Sequence, residues 1–253
     1  MEYWKQGYMD MMLVPMGIVC SVLYHGWLWH KVRSQPFQTI IGINSAARRQ
    51  WALSIIKDNE KNNILAVQTL RNAIMGSTLM ATTSILFCSG LAAIISSTYS
   101  VKKAVDDIVF GAHGELMMAL KYVMILIIFL LAFLFYTLSI RLINQVNFLI
   151  NIPVTFLDDV GVSPEMQEWY ILDMMDRGFV LSTLGNRLFY TAVPLLLWIF
   201  GPLLVFLCSI SMVFILYKLD IVPGEPTGKL RAVDVVGDEQ IISCSNHVRV
   251  VVL

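Results

Sequence analysis

Apolar positions gather in four long runs free of Asp, Glu, Lys and Arg: Met11 to Trp29, Ile74 to Ser96, Tyr122 to Ile140 and Leu188 to Tyr217. A helix rises ~1.5 Å per residue and a hydrocarbon core is ~30 Å thick, so each run is long enough to cross one. Between the runs the pattern becomes one-sided. Asn44 to Arg71 contains no Gly or Pro, which predicts an unbroken helix from near Ala46 through the second run to near Ser96, ~75 Å long. Beyond Ile140, Leu142, Ile143, Val146, Leu149 and Ile150 take one face, and Arg141, Asn144, Gln145 and Asn151 the other. That is an amphipathic extension of the third run, closing near Pro153. Ser163-Pro164-Glu165 places an N-cap residue before proline at the first helical position, and opens another amphipathic helix to about Leu184. Pro194 and Gly201-Pro202 interrupt the fourth run and predict a kink or tilt.

The fold class expected is therefore all-α: a polytopic membrane protein with four transmembrane helices and cytosolic helical extensions. Residues 1–222 form one membrane domain with a cytosolic helical layer. Residues 223–253 carry only short alternating apolar patches and read as a weakly structured tail.

Composition sharpens this. Hydrophobic residues reach 57% and charged residues 14%. Soluble domains sit nearer 45–50% and ~25%, so the surplus faces lipid. The formal net charge is zero, which gives no field for nucleic acid. Three of the four cysteines, Cys20, Cys88 and Cys208, lie within apolar runs and act there as small apolar residues. The segment before the first run lacks a basic n-region, so that run reads as a retained span and not a signal peptide. Seven Lys/Arg lie between Lys31 and Arg71, against one before the first run. The positive-inside rule then puts the N-terminus outside and this loop inside, and four spans return the C-terminus to the outside. Which membrane holds the chain stays open, the plasma membrane or an endomembrane being expected.

Two constellations carry candidate chemistry. On the second helix Thr78, Thr82, Ser89 and Ser96 fall near one line at 100° per residue. They are a candidate solute path, with hydroxyls lining a polar seam. Equally, hydroxyls and small residues such as Ala92 and Ala93 mediate helix packing in membranes. Arg71, Arg141 and Arg187 each stand near an end of an apolar run, with Gln68 and Gln145 among the nearby carboxamides. At one level they make an anion site through the planar guanidinium fork, or ion pairs with Glu60, Asp173 or Asp176, or they snorkel to headgroups. No His pair has metal-ligand spacing, and no phosphate loop or nucleophile elbow occurs. No metal, cofactor or catalytic residue is expected.

The stretches "YHGWLWHKVR", "IGINSAARRQW", "KDNEKNNILAVQTLRNAIMGSTLMATTSILFCSGLAAIISSTYSVKK", "GAHGELMMALKY", "LSIRLINQVNFLIN" and "GNRLFYTAVPLLLWIFGP" resemble a plant membrane-protein family, the domain-of-unknown-function five-nine-nine family. The resemblance covers about Tyr24 to Val222. It implies a four-span integral membrane protein of plant origin with bacterial relatives, and it implies no activity.

The function expected is a subunit of an oligomeric channel or carrier for a small solute, an anion by preference, since a single four-helix bundle rarely encloses a water-wide pore. The alternative is a membrane scaffold whose cytosolic helices dock a partner protein. The partners expected are the lipid bilayer, further copies of the chain and a cytosolic protein; an enzyme is not expected.

Overall fold

A computed structural model describes residues 2–57, 59–104, 112–152 and 163–222. The tail 223–253 lies outside the described residues. The chain is all-α, with helices α1 (Glu2–Ser34), α2 (Ile40–Lys57), α3 (Asn59–Ala104), α4 (Ala112–Leu149), α5 (Pro164–Leu196) and α6 (Pro202–Asp220), and short 3-10 turns at Pro36–Gln38 and Leu197–Ile199. Among the described residues five helices are long and apolar enough to cross a membrane: α1, α3, α4, α5 and α6.

The fourth apolar run is where expectation and structure part. Its length from Leu188 to Tyr217 predicts one span, yet the chain reverses within it. Gly201 takes φ 157° and ψ 156°, a conformation suited to glycine, and Pro202 starts the next helix. Proline cannot continue a helix but fits its first position, so Gly-Pro ends one helix and opens another. α5 and α6 therefore form an antiparallel hairpin, with Arg187 meeting Asp220. The reversal has a consequence for α1. Val14 and Val205 share a core cluster, a Cβ on Gly17 would sit 3.1 Å from Ser209 Oγ, and Tyr24 bonds Asp220. Residue numbers rise together, so α1 and α6 run parallel. The end of α6 lies beside the α1–α2 corner, where the Val222 N–H donates to the Gln38 carbonyl at 3.3 Å. The side of that corner is called lower here, and the side where α3 stops, α4 starts and α5 turns into α6 is called upper. Four spans would bring Val222 to the side of Glu2, whereas it sits at the opposite end of α1, beside Gln38; the C-terminus itself lies outside the described residues.

The long helix is also divided. Helix α2 stops at Lys57 and α3 starts at Asn59, with residue 58 outside the described residues. The two cannot be collinear. Arg49 lies against Asp176, while Leu70 shares a core cluster with the adjacent Met175; a straight helix would separate residues 49 and 70 by about 30 Å. Glycine makes the α1–α2 corner possible: a Cβ on Gly42 would fall 2.2 Å from the Pro36 carbonyl oxygen.

Helices α3, α4 and α5 pack in sequence, each antiparallel to the next. On α3 the buried positions among the described side chains are Ala66, Leu70, Ser77, Ala81, Ser84, Cys88 and Leu91; on α4 they include Ile125, Phe129, Ala132, Tyr136, Ser139, Ile143, Val146 and Ile150. These alternate by threes and fours, the spacing of a knobs-into-holes seam. Small side chains on α3 let the helices approach, and Phe87 stacks on Phe129 with ring centroids 5.0 Å apart. Below, Ala52, Ile55, Ile56, Ala66, Leu70, Ile143, Val146, Ile171 and Met175 form one core that joins α2 to the lower halves of α3, α4 and α5. Helix α2 and the lower halves of α3, α4 and α5 thus make one helical layer. The Ser163 cap holds too, its hydroxyl accepting from the Met166 N–H at 3.4 Å, but α5 continues unbroken past Leu184 to Leu196.

Candidate functional site

The hairpin brings one carboxylate into the protein interior. Asp220 ends α6 with only 4% exposure. Arg187, projecting from α5, grips it with both arms: Nη1 donates to Oδ2 at 2.7 Å and Nη2 donates to Oδ1. The Tyr24 hydroxyl, from α1, donates to Oδ2 at 2.5 Å. Two charges and a phenol thus tie three helices at one point. A bidentate guanidinium–carboxylate pair is strong and directional. Burying either partner alone costs far more than burying the pair, so the cluster survives only if all three helices stay docked. His25 borders it, edge-on to the Tyr24 ring. Its Nδ1 lies 2.7 Å from the Ser21 carbonyl; a carbonyl only accepts, so Nδ1 carries the proton and Nε2 is left as an acceptor.

A second link lies one residue away. The Tyr136 hydroxyl of α4 donates to Asn186 Oδ1 at 2.7 Å, and farther down the Ser139 hydroxyl donates to the Gly178 carbonyl at 2.7 Å. Ser77 and Ser182 meet across α3 and α5 at 3.3 Å. Helix α5 is therefore the polar spine of the molecule, with neighbours bonding to it on several sides.

The candidate solute path falls elsewhere. Thr78, Thr82, Ser89 and Ser96 are all exposed on the outer face of α3. The first three hydroxyls donate to their own helix four residues back, at 2.8–2.9 Å. The hydroxyls turned inward are the neighbouring Ser77 and Ser84. One residue is 100° of helix, enough to separate a buried line from an exposed one. The arginine level does not gather either. Arg71 and Arg141 are exposed, as are Gln68 and Gln145, and Arg187 is bound to Asp220. Of the carboxylates weighed as partners, Asp176 meets Arg49 and Asp173 meets Arg177; the Glu60 side chain lies outside the described residues. Among the described residues no group of three or more His, Cys, Asp or Glu is placed to hold a metal ion.

Asp220 and Tyr24 escaped the sequence reading because Asp220 lies just beyond the last apolar run. The signal available was the pairing of ends. A lone Arg precedes the run, a lone Asp follows it, and Gly-Pro sits between. A hairpin brings those two ends together.

The family description "Protein of unknown function, DUF599" matches residues 12–224. The chain belongs to the DUF599 family. No curated protein and no solved structure matches it. The family match spans every element of this DUF599 member that builds the Tyr24–Arg187–Asp220 cluster, from α1 to the end of α6.

Proposed function

We propose that this protein is a five-span integral membrane protein whose copies associate through the outer face of α3 to form a path for a small polar solute. The reading that copies of the chain make the path rests on one observation: the hydroxyl line Thr78, Thr82, Ser89 and Ser96 faces away from the protomer. Such a line contributes to a path only where another chain closes it. The face has room for close approach, since a Cβ on Gly76 or Gly90 would meet nothing within 4 Å, and glycine or small residues let membrane helices come together. Five spans with the basic lower end inside put the N-terminus outside and residue 222 inside. The preference for an anion is weakened, because Asp220 neutralises Arg187.

The test is a pair of measurements on Gly90→Leu, a bulky change on that face. Oligomers are followed by cysteine cross-linking through Thr82→Cys, and solute efflux is read from liposomes. Loss of both supports the reading; intact cross-linking and efflux sink it. A scaffold role has its own support. Ile64, Leu65, Phe148, Met166 and Trp169, on the lower portions of α3, α4 and α5, are 52–75% exposed. If replacing Phe148 and Trp169 by Ser removes binding to a cytosolic protein while efflux is absent throughout, the scaffold reading prevails.

A further inference from the structure

Where α2 crosses α5, the charges of the described residues do not balance. Helix α2 brings Arg48 and Arg49, and α5 brings Asp173, Asp176 and Arg177. Arg177 Nε takes Asp173 at 2.8 Å on the surface. Asp176, with its side chain 4% exposed, is left facing both α2 arginines, and its contacts are loose. Arg49 Nη1 stands 3.8 Å from Oδ2, too far for a hydrogen bond, and the Ser45 hydroxyl donates to Oδ1 at 3.4 Å. Arg48 does not reach it and lies over the Phe179 ring, its guanidinium carbon 4.5 Å from the centroid. Arg48 Nε and Arg49 Nη1 are buried and have no hydrogen-bond partner among the described residues. Burial pulls the Arg48 guanidinium below its ordinary value, with Asp176 pushing back. A buried donor without an acceptor is costly and rare, and here two stand together beside an excess positive charge.

We propose that Arg48 and Arg49 form a binding site for a phosphate-bearing anion at the α2–α5 crossing. The guanidinium fork matches the oxygens of a phosphate, and two adjacent forks on one helix supply charge and donors that a single carboxylate does not use. Phe179 holds the Arg48 plane in place, and Asp176 steadies Arg49. The location fits the chemistry. Asp176 follows Met175, which packs with Leu70 and Val146; this is the level at which the apolar runs of α3 and α4 end, where headgroups lie in the five-span arrangement. The phosphate belongs either to an anionic lipid or to a free anion, and the site chemistry is common to both.

The experiment uses the full chain in neutral detergent. Its thermal midpoint is read with inorganic phosphate at matched ionic strength, with dioctanoyl phosphatidic acid, and with dioctanoylglycerol as the phosphate-free control. At roughly tenfold excess over Kd, a rise of about 3–5 °C is expected for a chain of this size. Arg48→Gln and Arg49→Gln should each remove more than half of that rise, and the exposed Arg71→Gln should keep all of it. A rise with phosphatidic acid alone assigns the site to a headgroup; a rise with inorganic phosphate assigns it to a free anion. No rise with either, an equal rise with dioctanoylglycerol, or a full rise in the Arg48→Gln/Arg49→Gln variant overturns the proposal. If the variants do not fold, native mass spectrometry of the unaltered chain decides: phosphatidic acid must be retained over dioctanoylglycerol, and equal retention overturns it.

Discussion

Helices α3 and α5 are both long, run the same way and carry polar residues along their apolar stretches, yet they use them in opposite fashion. On α3 the exposed Thr78, Thr82 and Ser89 turn their hydroxyls back on their own helix. On α5, Ser182, Asn186 and Arg187 reach or receive neighbours on α3, α4 and α6. A hydroxyl can satisfy itself on the i−4 carbonyl, so it tolerates a lipid-facing position. A guanidinium cannot, and the buried Arg187 takes its partner from another helix, Asp220 on α6. The polar residues that organise this fold are therefore those unable to complete themselves locally.

The largest effect should come from the Asp220 cluster. Asp220→Asn leaves Arg187 buried without its counter-charge, and a loss of ~3–5 kcal/mol is expected, read by thermal or denaturant unfolding in detergent. Arg187→Gln should cost a similar amount. The double variant should cost less than the sum, because the second change removes a charge already stranded. Strict additivity would show that the two residues act independently and would break the contrast with α3. The exposed Arg71→Gln should stay within ~0.5 kcal/mol.

Next come the close approaches. A Cβ on Gly185 would lie 2.9 Å from Tyr136 Cε1, and one on Gly178 would lie 2.9 Å from Ile143 Cγ1. Gly185→Ala and Gly178→Ala should each cost ~1–3 kcal/mol through overpacking. Gly90→Ala on α3 meets open space and should be neutral or gain up to ~1 kcal/mol from helix propensity. Equal losses at all three positions would mean that the outer face of α3 is already occupied.

The contrast also explains what was legible in the sequence. Hydrophobic length located the apolar helices, because a long uncharged run has few folded alternatives to a helix in lipid. Ser163-Pro164 fixed the start of α5, since capping is a local interaction. The reversal at Gly201-Pro202 was readable only as an interruption: local chemistry says the helix stops, and the partner across the turn decides the direction in which it resumes. The α2–α3 division was hidden because its stretch lacks Gly and Pro, and what bends it away is the docking of α2 on α5, where Ala52, Ile55 and Ile56 join one buried core with Ile171 and Met175. Within α3 a buried and an exposed hydroxyl line lie one residue apart. Ser77 and Ser84 are buried, while Thr78 and Thr82 face outward. Composition treats those neighbours alike, and the small seam residues Ala81 and Cys88 were the clue to which side packs.

The smallest stability effect is also the one that tests function. Tyr136→Phe removes a bond between helices and should cost ~1–2 kcal/mol, leaving the Asn186 oxygen short of a donor. Thr82→Val and Ser89→Ala remove only bonds made within α3, and should leave unfolding within ~0.5 kcal/mol of the unaltered chain. If copies meet along this face to pass a solute, the same two changes should still slow liposome efflux, because they strip polar groups from the path without disturbing the protomer. Stability unchanged with efflux reduced places these hydroxyls in a path between copies. Stability and efflux both unchanged makes them lipid-facing residues that satisfy themselves, and the path must then be sought elsewhere. A stability loss as large as that of Tyr136→Phe would erase the distinction between the two helices, since a self-bonded hydroxyl on an open face has no neighbour to lose.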